Sequence, residues 1–249
     1  MMQKKNNSKT TNQMSRRIVV KDIKQKVEQY CKLKRTFKIR ESVNYAEITT
    51  EHNQKIVANK NGKFGEGLFL FAMVLRDVQK YLDENGAIEP MKELPVNFTN
   101  THYEEKTALG IDVDNAYWSI ACLRGYISHK TYAKGLEKRK EYKSTRLSAL
   151  SSLGKDKFYK VFEDGEYKHN EIVEGDKRMQ DIYYDIRYTT YNIMQEVADA
   201  LGNDFYSWKT DCIFFKDTKE NRELVKTMLT DYGLSCKVEK TIEVKKRNI

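Results

Sequence analysis

Two acidic positions carry the chemistry this sequence could perform. In residues 110–121, GIDVDNAYWSIA, an apolar lead-in runs into Asp112 and Asp114, with Tyr117 and Trp118 just behind. Successive strand residues point to opposite faces, so a strand here puts both carboxylates on one face and Val113 on the core side. Asp211 stands in WKTDCIFF (208–215), immediately ahead of the apolar run Cys212–Phe215. An acid at the mouth of a buried strand is costly unless paired or coordinated. If strands 108–113 and 207–215 are neighbours, Asp112 and Asp211 meet. Two hard carboxylates plus substrate phosphates suit Mg²⁺, and two such ions about 4 Å apart would clamp the attacking and leaving oxygens of a phosphoryl transfer. The plainer alternative for a D-x-D on a strand is a solvent-facing pair or a helix cap.

These acids need elements to hold them. Residues 106–113 read as a buried strand, and 116–124 as the start of a helix. Residues 64–83 form a helix closed by Asn85–Gly86. The stretch 131–153 is helical and basic through Arg146, 158–174 alternates around Asp164–Gly165 as a hairpin, and 178–201 is a long amphipathic helix stopped by Gly202. A strand (205–216), a helix (218–231) and strand material (234–246) follow. Upstream, 18–35 has helical spacing and 36–60 suggests one or two strands. Strand, helix, Asp-Tyr-Gly turn, strand is a split βαβ pattern. Together with the 106–113 strand and the 178–201 helix it predicts an α+β fold, an antiparallel ferredoxin-like sheet with helices on one face.

Composition narrows the class. The 249 residues are 39% hydrophobic and 33% charged, with two prolines; this is globular and not low-complexity. No apolar run nears the ~20 residues of a membrane span, and the start MMQKKNNSKTTNQMSRR has no apolar core after its lysines, which predicts no secretory leader and a cytoplasmic location. Cysteines 31, 122, 212 and 236 form no CxxC and the four histidines are scattered, so no structural zinc site is expected. The net charge is +9, and residues 1–40 hold thirteen Lys/Arg against Asp22 and Glu28. The excess reads as an N-terminal basic arm on a nearly neutral body, which suits phosphate backbones because each contact releases a counterion; a solubilising tail is the other reading. The expected divisions are a disordered basic tail (1–17), an N-terminal α/β segment (18–105) and a domain over 106–249.

Three segments resemble motifs of family B DNA polymerases, in that family's order. Asp112 through Ile120 resembles the first palm motif, D-x-x-S-L-Y-P-S-I. Residues 146–154, RLSALSSLG, are similar to the fingers motif K-x-x-x-N-S-x-Y-G, and Lys209–Ile213 to the second palm motif D-T-D-S-I. The resemblance covers about 106–246. It implies a minimal palm with a short fingers hairpin at about 124–154, Mg²⁺ or Mn²⁺ on Asp112 and Asp211, and Tyr117 packed under the incoming sugar. It places Arg146 on the nucleotide phosphates, with Lys143 and Lys209 as neighbouring cations; Lys134, Lys138, Arg139 and Lys140 share that basic segment, whose plain reading is a solvated helix face. The implied partners are DNA, a deoxynucleotide, and another protein supplying a thumb or primer. Lys209 stands where the family has an acid, Trp118 where it has proline, and Leu150 and Leu153 where it has Asn and Tyr. The competing expectation is a catalytically inactive DNA-binding accessory or virion-associated protein reusing the palm as a scaffold. A Lys-, Asn- and Tyr-rich chain fits a phage or mobile element of an AT-rich bacterial host. Tyr183, Tyr184, Tyr188 and Tyr191 could stack on bases, but such spacing more often serves packing.

Overall fold

The computed structural model describes residues 17–20, 22–41, 45–59, 67, 69–90, 106–238 and 242–244. In chain order the elements are β1 (Arg17–Val20), α1 (Ile23–Lys32), β2 (Phe37–Glu41), β3 (Tyr45–Thr50), β4 (Lys55–Asn59), α2 (Phe69–Asn85), β5 (Lys106–Val113), α3 (Ala116–Leu123), α4 (His129–Leu136), α5 (Lys143–Ser151), β6 (Lys157–Glu163), β7 (Glu166–Val173), α6 (Lys177–Leu201), β8 (Phe205–Lys209), β9 (Cys212–Lys216), α7 (Lys219–Asp231), β10 (Cys236–Val238) and β11 (Ile242–Val244). The fold is α+β, and the chain divides into two compact units.

The first unit comprises 1–65 and 156–173. Its sheet runs β1-β4-β3-β2-β6-β7, antiparallel except for the parallel β1–β4 pair. Alternation puts Phe37, Ile39, Ile48 and Ile56 on one face, where they form a core with Ile23 and Tyr30 of α1. This unit takes in the β6–β7 hairpin, expected within 106–249, and it gives up α2, which lies in the second unit. Cross-strand pairing of Phe37 with Phe162 draws the hairpin into the first sheet. Residues 17–20 are strand and 23–32 are helix, so the stretch 18–35 expected to be helical is a strand followed by one helix. The predicted disordered tail lies outside the described residues except Arg17, which opens β1.

The second unit, 66–155 and 174–249, contains both acids. Its sheet order β10-β5-β9-β8, with all neighbours antiparallel, follows from strand–helix–hairpin–helix–strand connectivity through α6 and α7, the ferredoxin-like arrangement. Leu109, Ile111, Val113, Ile213, Phe215 and Trp208 join α2, α3, α5, α6 and α7 in one core. Ala108, Tyr206 and Phe214 form a separate small cluster. Alternation along β5 and β9 therefore leaves Asp112 on the sheet face away from the helices.

Two expected elements break. The helix over 131–153 becomes α4 and α5, because the Arg146 guanidinium donates to the carbonyls of Gly135 (2.7 Å) and Arg139 (3.1 Å) and so ends α4. The strand over 205–216 is a hairpin, β8–β9, turning at Thr210–Asp211. A two-residue hairpin turn usually announces itself with Asn or Gly, and Thr-Asp carries no such signal.

Candidate active site

The end of β5 and the β8–β9 turn meet edge to edge. Asp112 pairs across the ladder with Cys212, and the Val113 N–H donates to the Asp211 carbonyl at 2.8 Å. This places Asp211 beside the last turn of the ladder that carries Asp112. The two carboxylates feel one another: burial, and then the Asp112 charge, push the Asp211 carboxyl up to about 6, against smaller opposing pulls from Lys143 and Lys237. Like charges brought together under partial burial are the arrangement that a bound cation relieves. Asp112 already has a cation, since Lys237 Nζ of β10 lies 2.9 Å from its Oδ2.

Both acid-bearing loops hold left-handed backbone. Asn115, one residue beyond Asp114, has φ 52, and Thr210, immediately before Asp211, has φ 56. A β-branched residue in that region is strained, and such strain collects where structure around it over-determines a functional geometry. The Asn115 loop is braced from the helical segment. Arg146 Nη2 donates to Asn115 Oδ1 at 2.6 Å, and Arg139 pairs with Asp114 at 3.0 Å. Asp114 is thereby engaged outside the Asp112–Asp211 pair, and Ser119 Oγ donates to its carbonyl at 3.2 Å.

The arginine expected to meet nucleotide phosphates is instead buried. Arg146 is only 2% exposed, and its guanidinium is committed to Gly135, Arg139 and Asn115. Burial lowers its pKa. It is a strut, because five donors in a rigid fork can close off one helix and hold a loop at the same time. Leu150 and Leu153, which replace polar and aromatic residues of the family motif, are fully buried core residues. Gly154 has φ +64, and a Cβ there would lie 2.4 Å from the Gln180 nitrogen of α6.

Lys143, at the first position of α5, and Lys209, at the end of β8, are exposed, and Lys143 bears electrostatically on Asp211. Tyr117 lies in the first turn of α3, half-buried, with its hydroxyl 3.3 Å from that of Tyr191; burial and that bond raise its pKa. Tyr191 packs at 5.3 Å from Trp208, one residue before Lys209. Arg187 lies over the rings of Tyr183 (5.9 Å) and Tyr191 (5.7 Å). Burial alone would lower its pKa, but the Tyr191 hydrogen bond and the surrounding phenols raise it. Tyr183 and Tyr191 are thus packing and cation-holding residues, whereas Tyr188 is exposed.

Lys237, Thr210 and Arg187 were not legible as site residues. Nothing in Cys-Lys-Val says that Lys237 will face Asp112, because that depends on β10–β5 register. Among the described residues no group of three or more His, Cys, Asp or Glu stands together as a metal site. The donor set is two carboxylates, and Mg²⁺ characteristically takes one or two carboxylates and completes its shell with waters and phosphates. No family model, curated protein or solved structure matches the chain. No helix among the described residues is long and apolar enough to cross a membrane.

Proposed function

We propose that the second unit is a minimal nucleotidyl-transfer palm, similar to that of family B DNA polymerases, which binds nucleic acid and an Mg²⁺- or Mn²⁺-nucleotide in DNA replication or repair. The observation that carries this is the juxtaposition of Asp112, at the end of β5, with Asp211, in the β8–β9 turn, on a β10-β5-β9-β8 sheet. Asp112 and Asp211 would hold the ion. When bound, the ion supplies charge neutralisation on the phosphates and lowers the pKa of the attacking hydroxyl. The chain's own groups do the rest. The strained Thr210 turn and the Asn115–Arg146 brace fix the carboxylates in position. Lys143 and Lys209 offer exposed cations to the phosphates. Tyr117, held by Tyr191, presents a packed ring near the start of α3. Arg187, held over the rings of Tyr183 and Tyr191, adds a cation to this aromatic cluster.

Primer extension with Mg²⁺ or Mn²⁺ tests the proposal. Wild type should extend a primer, and Asp112→Ala and Asp211→Ala should not. Equal background from all three removes the catalytic reading. A second reading, a non-catalytic DNA-binding protein on the same scaffold, is favoured by one observation, the Lys237 ammonium on Asp112. It predicts DNA binding without extension, unchanged by chelator.

A further inference from the structure

Lys237 pairs directly with Asp112 across β10–β5, so both side chains stand on one face of the sheet. The ammonium lies 2.9 Å from Oδ2. The same lysine acts on Asp211, as Asp112 does. A single flexible cation therefore contacts one of the acids that would hold a metal and bears electrostatically on the other. The pair is only partly sheltered, with the two side chains 54% and 24% exposed, so the lysine can leave at small cost on its four-carbon stem.

We propose that Lys237 is a built-in occupant of the cation position, which neutralises Asp112 in the ion-free protein, competes with a divalent ion for it, and gives way when a polyphosphate ligand arrives with the ion. This rests on the reading that Asp112 and Asp211 hold that ion. A divalent cation on Asp112 would stand within a few ångströms of the ammonium, where like charges repel even through a high effective dielectric. The phosphates of a nucleotide offer the displaced ammonium new acceptors. Ion and polyphosphate then bind with positive coupling, and by linkage each raises the affinity of the other. The pair also offsets the repulsion between the two neighbouring acids, which partial burial of Asp211 strengthens.

The test is Mn²⁺ binding to the full-length protein, read from the electron paramagnetic resonance signal of free Mn²⁺. Lys237→Met keeps the stem and removes the charge. It should bind Mn²⁺ about three- to tenfold more tightly than wild type, the scale of a partly exposed charge contact. Lys237→Gln should behave likewise, Lys237→Arg should keep the wild-type affinity, and adding Asp112→Asn to Lys237→Met should erase the gain. Unchanged or weaker Mn²⁺ binding in both neutral variants, with wild type still binding, overturns the competition while leaving the two-carboxylate site intact. An absence of Mn²⁺ binding sensitive to Asp211→Asn in every form overturns the site itself, and the proposal with it.

Discussion

Replacing Asp211 by Asn should make the ion-free protein more stable at neutral pH. The Asp211 carboxyl is pushed from 3.8 up to about 6, first by burial and then by Asp112. An acid whose folded pKa is raised binds its proton more tightly when folded. Its charge therefore opposes folding above about 6, and the penalty fades as pH falls through the interval down to 3.8. That interval corresponds to an upper bound of about 3 kcal/mol. Asp211 is only partly buried, and solvent screening brings the expected gain to about 1–2 kcal/mol. Urea unfolding in chelator, followed by tryptophan fluorescence, measures it. Both tryptophans of the chain, Trp118 and Trp208, lie in the second unit, so the signal reports that unit alone. Asp211→Asn should exceed wild type by that amount at pH 8, by about half of it near pH 5, and by nothing near pH 3.5. Mg²⁺ should stabilise wild type at pH 8 and leave the variant unmoved. A variant that is less stable than wild type, or a gain independent of pH, refutes the electrostatic account of the site.

Three further outcomes follow from the same geometry. Arg146→Met should destabilise the second unit by about 2–4 kcal/mol in the same fluorescence titration, because it strands the Gly135 and Arg139 carbonyls and Asn115; a change under 1 kcal/mol would return Arg146 to the list of ligand-facing cations. Thr210→Gly should relieve the left-handed strain and hold or raise stability by up to about 1 kcal/mol while loosening Asp211, so that Mn²⁺ affinity falls; equal affinity would show that the turn does not aim the carboxylate. Deleting residues 1–16, which carry four Lys/Arg, should weaken DNA binding and flatten its salt dependence by up to about 4 in log–log slope; an unchanged slope in fluorescence anisotropy would remove the arm as a phosphate contact.

Local sequence determined much of this protein. Alternation and apolar runs marked β5, the β6–β7 hairpin and the long α6, because a strand or helix that buries one face must write its period into the chain. The acids at 112 and 211 were legible as expensive groups beside apolar runs. What sequence alone did not reveal depends on contacts between distant residues. Arg146 reads as an exposed basic-segment residue, yet tertiary structure buries it, because carbonyls of Gly135 and Arg139 and the Asn115 side chain converge on one guanidinium. The β8–β9 turn uses Thr210 in a conformation its own side chain disfavours, so no local propensity points to it. Lys237 meets Asp112 only because strand register sets residue 237 across from 112. Register is a property of the assembled sheet: shift β10 by one residue and the lysine would face the other side.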